Sequence, residues 1–282
     1  MDFDFKQIHV PFRMLPGLAR LGPDAVHLTP LRPGSPLHLE KLALHRLGAT
    51  RHAVAGFDAA DALATLRAHA IRAGISALEM EQLPLELQVE EDLVVLDTRT
   101  ARVPWMCVSV PSRWAPEEKL GRTLAEVHQP VADGEALAAA LPAILRVLGS
   151  GGPWERHVWT LTPSPSYDQH PSRHAVTPWP QTTDPDEFAR QCHLRAERQT
   201  FIPVPDAQGL AGKQTLFTIR VMVEPLCSAV RSASDALRLH DALASMSDAV
   251  LAYKNLTQAR PLLLEWLARR SAKDSTGPAA LV

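Results

Sequence analysis

Three groups of residues in this chain have the types and spacing to do chemistry. The first runs from Pro111-Ser112-Arg113-Trp114 through Lys119 and Arg122 to His128. A histidine closing a helix can aim its imidazole at a metal in a pocket, and nearby arginine or lysine can pair with carboxylates. The same segment also reads as a surface helix whose terminal histidine is favoured by the helix dipole. The second group is LRAERQTF, where Arg195, Glu197 and Gln199 share one strand face by period two and Arg198 points to the other. Facing a cavity, Glu197 can hold a cationic amine or shuttle a proton, and Arg220 on a following strand can polarise a bound oxygen species. Facing solvent, the two form a salt bridge worth little. The third is Trp154-Glu155-Arg156-His157-Val158-Trp159 with Trp105 and Trp114. Tryptophans near an arginine line a ligand cavity or simply fill a core.

The elements that must position these groups follow from periodicity and punctuation. The proline-rich first fifty residues, with one helix near Leu37–Leu47, read as an arm wrapped on a core formed later. FDAADALATLRAHAIRAG, from Phe57 to Gly74, has apolar residues at helical spacing. LVVLDTRT and VPWMCVSVP read as a β-hairpin around a polar turn. Glu117 to His128 is predicted as one helix, weak at Gly121 and stopped by Pro130, so that His128 falls in the last turn. GEALAAALPAILRVLGSGG is a second helix, kinked or restarted at Pro142. WERHVWTLTP is a strand. The proline- and serine-rich passage from Pro163 to Pro185 is too long for an ordinary connection, which marks it as functional or surface-wrapped. CHLRAERQTFIPVP and QTLFTIRVMVEP should pair antiparallel, and a turn centred near Leu210 brings Glu197 roughly opposite Arg220 for a cross-strand ion pair. Two helices, about Ser232–Leu256 and Arg260–Arg270, close the fold. The class is α+β with an antiparallel sheet.

Composition narrows the function classes. The 282 residues carry 29 Lys+Arg against 31 Asp+Glu, a net charge of −2 that supplies no long-range field toward nucleic acid or an anionic membrane. The start, MDFDFKQIHVPF, lacks a signal-peptide pattern, and no apolar stretch approaches membrane-spanning length, so a cytoplasmic location is expected. The three cysteines, Cys107, Cys192 and Cys227, have no metal or disulfide spacing. The twelve histidines form no paired motif. One histidine acting alone suits haem, where a single axial ligand suffices. Nucleophile-elbow and phosphate-loop signatures are absent from the sequence.

The segments VPFRMLPGLARL, EDLVVL, VSVPSRWAPEEKLGRTLAEVHQPV, WERHVWTL, LRAERQTF, LFTIRVMVEPL and LAYKNL, in that order, resemble the haem-binding subunit of the haem-dependent oxidative N-demethylases, a PAS-fold family acting on dimethylamine. The resemblance covers most of the chain. It implies a single haem-binding PAS-like domain over residues 1–271, with helical and loop extensions and an N-terminal wrapping arm, followed by a flexible tail over 272–282. It implies haem b, with His128 the iron ligand and Arg113, Lys119 and Arg122 contacts for the propionates. Glu197 and Arg220 become the distal catalytic pair, and Arg156, Trp159, Arg198 and Thr218 the substrate pocket. The implied activity is oxygen-dependent, monooxygenase-like oxidation of a small amine. Electrons would come from a reductase partner carrying flavin and an iron–sulfur cluster and drawing on NADPH, with neither nucleic acid nor membrane involved.

Two departures bear on the substrate. The family reads Arg-x-Asn-Trp where this chain has Arg156-His157-Val158-Trp159, so an amide donor and acceptor is lost at Val158. The stretch PSYDQHPSRHAVTPWP adds Tyr167, His170 and His174 in a loop able to reach the pocket. Two rival readings stand beside the enzyme: a non-catalytic haem gas sensor, since a PAS fold does not fix function, and a haem-free ligand-binding module.

Overall fold

The computed structural model describes residues 3–14, 17–22, 24–129, 134–149, 151–206, 209 and 211–272. Seven strands form one antiparallel sheet: β1 (Ala19–Arg20), β2 (Arg51–Ala53), β3 (Asp92–Asp97), β4 (Arg102–Cys107), β5 (Trp154–Thr162), β6 (His193–Pro205) and β7 (Ala211–Pro225). Their spatial order is β1-β5-β6-β7-β3-β4-β2. The central run LVVL of β3 is apolar throughout because it lies inside the sheet, between β7 and β4, with Leu93, Val94, Val95 and Leu96 all buried. The predicted β3–β4 hairpin is present, its turn held by Arg99 and Thr100 N–H groups donating to Asp97 Oδ1 at 2.9 and 3.1 Å.

Strand alternation divides the sheet into two faces. On one, Arg195, Glu197, Gln199 and Phe201 of β6 stand beside Thr160, Val158, Arg156 and Trp154 of β5 and beside Val223, Val221, Ile219 and Phe217 of β7. On the other, Ala196, Arg198, Thr200 and Ile202 stand with Trp159, His157 and Glu155 and with Met222, Arg220, Thr218 and Leu216. The second face is covered by the helices Ala233–Ala244 and Arg260–Ala272, by Phe3, Phe5 and Ile8 of the N-terminal arm, and by the helix Ala60–Arg72. The first carries smaller apolar clusters around Leu37, Trp114 and the helix Gly134–Leu148, and between them lies the polar stretch of β5 and β6. The first residues of the chain thus pack on this core.

Two helix assignments are corrected. The single helix expected over Glu117–His128 is two short ones, Pro116–Lys119 and Leu124–His128. Gly121, at φ +72°, turns the chain between them and donates to the Val103 carbonyl at 2.7 Å, so the break follows from a backbone only glycine adopts freely. The helix expected over Ser232–Leu256 is likewise split, into Ala233–Ala244 and Asp248–Tyr253, because Ser247 caps a new start by accepting from the Val250 N–H. Pro142 neither ends nor restarts its helix, which runs Gly134–Leu148; Leu141, Ile144, Leu145 and Leu148 pack inward and offset the lost hydrogen bond. Pro130, Leu210 and the tail from residue 273 on lie outside the described residues. Among the described residues, no helix is long and apolar enough to cross a membrane.

Candidate functional site

A continuous hydrogen-bonded chain of polar side chains crosses the first face of the sheet. Arg195 is 2% exposed and spends its guanidinium on four oxygens: Ser112 Oγ at 2.9 Å, the Ser166 and Tyr167 carbonyls at 3.2 and 2.9 Å, and the Val110 carbonyl at 3.1 Å. It thereby ties the turn after β4 and the loop after β5 to β6. Ser112 Oγ, accepting from Arg195, donates to Glu197 Oε1. Gln199 Nε2 donates to Glu197 Oε2 at 2.7 Å, while Gln199 Oε1 accepts from Arg156 Nε at 2.7 Å. With an ionised carboxylate that can only accept at one end and a guanidinium that can only donate at the other, the amide has a single orientation. Both oxygens of Glu197 are thus held, and the carboxylate is fixed in direction.

Arg156 lies over the Phe201 ring at 5.7 Å, and burial draws its guanidinium below the ordinary value, opposed by the charge of Glu197. Val158 is the direct register partner of Glu197. Lys254, in the segment LAYKNL, donates to the Trp159 carbonyl at 2.8 Å; burial lowers it to about 8 against the pull of Glu197.

The short helix ending at His128 is brought to this same face by Leu124, which packs in the cluster of Leu96, Leu148, Trp154 and Phe201. Its start is set by a capping box: Glu126 N–H donates to Thr123 Oγ1 at 3.3 Å, and Thr123 N–H to Glu126 Oε2 at 2.7 Å. His128 Nδ1 stands 2.8 Å from the Leu124 carbonyl. A carbonyl only accepts, so Nδ1 carries the proton and Nε2 the lone pair, the arrangement by which a histidine is oriented toward a metal. Burial holds His128 below its usual range; the Leu124 bond opposes this, and the charges of Arg156 and Lys119 add to it.

The structure separates other residues that the sequence reading grouped together. The expected Glu197–Arg220 ion pair is not formed. Glu197 is opposite Val221, and Arg220 opposite Arg198, so Arg220 lies on the other face, where its Nε meets Glu90 Oε2 at 2.6 Å. A one-residue error in register moves a side chain to the opposite face, and the β6–β7 turn differs from the assumed one by that amount. Arg198 also lies there, bonded to Glu155 Oε2 at 3.0 Å and to the Val26 carbonyl. Trp159, 5% exposed, belongs to the large core beneath the C-terminal helices, with Phe12 edge-on at 5.7 Å, and is not beside Arg156. Thr218 is fully buried opposite Thr200 on that second face. Arg122 is 61% exposed and loosely paired with Glu126 at 3.8 Å. Lys119 donates to the Val127 carbonyl at 3.3 Å, close to His128.

Arg113, at φ +62°, has neither an ion pair nor a hydrogen bond among the described residues, and burial lowers its guanidinium from the ordinary value. It lines an open cleft of ≈ 180 Å³ with Ser166, Gln169, Arg173 and His174. The sequence alone assigns no role to Ser112, Gln199 or Lys254. Period two already placed Gln199 beside Glu197, whereas Ser112 and Lys254 reach the site only through tertiary contacts.

Among the described residues, no three His, Cys, Asp or Glu side chains converge on a metal position. A haem needs only one protein ligand. The donor set fits that need: a half-buried imidazole with its Nε2 lone pair available, and the cations Arg156 and Lys119 near enough for their charge to act on it. The cleft at Arg113 is below the roughly 300–1,000 Å³ of typical ligand pockets and would admit a small polar group but not a porphyrin. A family model described as haem-dependent oxidative N-demethylase, alpha subunit-like, matches residues 68–264. The match takes in the helix of His128, the whole of β5 to β7 and Lys254.

Proposed function

Because this chain belongs to the haem-dependent oxidative N-demethylase, alpha subunit-like family, we propose that it is a PAS-like haem protein that oxidises an amine, with His128 as the iron ligand and Glu197 as the group that receives the substrate. When bound, haem supplies redox chemistry with dioxygen, its electrons coming from a partner reductase with flavin and an iron–sulfur cluster that draws on NADPH. The observation that carries this reading is the pairing of two prepared groups on one face: His128 with Nδ1 engaged and Nε2 free to ligate, and Glu197 with both oxygens anchored.

Each residue of the chain then has a definite task. Glu197 offers a fixed negative charge to an alkylammonium, and Ser112 and Gln199 keep that charge from swinging away. Arg195 and Arg156 hold those two partners in turn. A carboxylate so placed binds the amine cation and can take its proton when the nitrogen must be neutral. Val158 beside Glu197 presents an apolar surface where the family has an amide, which favours a substrate that brings alkyl groups rather than a hydrogen bond to that spot. Arg220, paired with Glu90 on the opposite face, has no part in this mechanism.

The test is an absorption spectrum of protein from haem-replete cells, before and after dithionite. A Soret band at stoichiometric haem is expected, lost in His128→Ala. Glu197→Gln should keep the band while amine turnover with a surrogate reductant falls at least a hundred-fold, since charge-assisted contacts made in the transition state carry several kcal/mol. A haem spectrum untouched in His128→Ala would assign the ligand to another histidine. Haem binding with tight reversible gas binding and no formaldehyde from any methylamine would replace the enzyme with a sensor.

A further inference from the structure

The long passage after β5 is built rather than slack. Tyr167 and Asp168 N–H groups donate to the two oxygens of Glu40 at 3.2 and 2.7 Å, Gln169 N–H to the Pro111 carbonyl at 3.1 Å, and His170 Nε2 meets Glu117 at 3.1 Å. Asp168, Gln169 and His170 are 3%, 8% and 1% exposed. This loop forms one wall of the Arg113 cleft. Arg173 grips Asp168 with Nε and Nη2 at 2.7 and 3.0 Å, and its Nη1 has no protein partner among the described residues. Asp168 also meets His174 Nε2 at 3.0 Å, so the Arg173 charge is compensated within the loop while that of Arg113 is not. The amide nitrogen of Gln169, a lining residue, is buried without a hydrogen-bond partner. A cleft with one uncompensated guanidinium, a second guanidinium with an edge to spare and an unused amide donor is suited to a single small oxyanion with two acceptor oxygens.

The cleft adjoins the Glu197 site. Ser112, which donates to Glu197, is the residue before Arg113, and Ser166, whose carbonyl accepts from Arg195, is a lining residue of the cleft. Resting on the amine reading above, we propose that the cleft is a carboxylate subsite and that the substrates are N-methylated amines carrying a carboxylate. Glu197 receives the ammonium end, and Arg113, with Arg173 and Gln169, receives the carboxylate end.

The experiment is isothermal titration of the full chain, as purified from haem-replete cells, with dimethylamine, N,N-dimethylglycine and 4-(dimethylamino)butyrate, with haem content read on the same samples. One of the two carboxylated amines should bind at least ten-fold more tightly than dimethylamine, and Arg113→Gln should abolish that preference while haem content is unchanged. Gln169→Leu, which removes only a buried amide, should narrow the preference several-fold. Equal affinity for all three ligands overturns the subsite. Loss of haem in Arg113→Gln overturns it as well, because the guanidinium would then be serving a propionate. A carboxylate preference in protein without a Soret band would uphold the cleft and sink the haem reading; a haem protein that prefers dimethylamine would do the reverse.

Discussion

At the scale of single residues, the site depends on a buried cation that touches no substrate. Arg195 reaches Ser112 and three backbone carbonyls from a fully enclosed position, so it positions both the Glu197 carboxylate and the loop wall of the cleft. Arg195→Met should cost about 2–4 kcal/mol, because the carbonyls it leaves behind stay buried without a donor. Urea unfolding checks this, and an unchanged midpoint would show that water replaces the guanidinium. Trp159 makes the opposite case. The family resemblance groups it with Arg156 in the pocket, yet the odd spacing of the two on one strand puts their side chains on opposite faces. Trp159→Ala should destabilise by about 3–5 kcal/mol through lost core packing while the folded fraction binds as much haem as before. Selective loss of haem would return Trp159 to the pocket.

At the scale of elements, the helix that presents His128 is only five residues long and owes its direction to its start, not its length. Gly121 turns the chain just ahead of that capped start at φ +72°, and a Cβ there would stand 3.4 Å from Val54 Cγ1. Since the space is adequate, the penalty of Gly121→Ala is conformational, about 1–2 kcal/mol for a left-handed non-glycine residue. If the turn relaxes to avoid this, His128 turns away from the sheet. The expected outcome is a modest fall in melting temperature with a disproportionate loss of haem affinity, measured by haem transfer to apomyoglobin. An equal loss of both would mean that the turn supports the fold alone. The β6–β7 hairpin shows how finely an element decides chemistry. Its two strands and their pairing are legible from composition and turn residues, but the partner of Glu197 depends on the turn length to one residue.

At the scale of the whole molecule, the fold carries buried ionisable groups outside the site that tie stability to pH. His27 and His69 pack edge to face at 4.8 Å, and burial first, then the neighbouring charges of Arg72 and, for His27, His69 and Arg198, lower both to about 4. In the unfolded chain each takes its proton near 6.5, whereas the folded state resists until about 4. Stability is therefore full above pH 6.5 and falls as pH drops toward 4, by roughly 3 kcal/mol per histidine. Melting temperature followed across that interval should show the decline, and His69→Phe should flatten it; an unaltered slope in the variant would place the acid sensitivity elsewhere. Glu86 acts lower on the scale. Burial would raise it, but its backbone bond, Arg51 and His45 hold it at about 2, so its contribution is lost only between the ordinary 4.5 and 2. Seen whole, the sequence by itself determined the α+β class, the strands and most helices, the family and the shared face of Arg195, Glu197 and Gln199, because period, caps and turn residues act over a few positions. Only the tertiary structure decided that Arg220, Arg198, Trp159 and Thr218 lie behind the sheet, that Ser112 and Lys254 come up to Glu197, and that Arg113 and the loop after β5 share a cleft. Those relations depend on strand register and on contacts between residues far apart in the chain, and no local pattern encodes either.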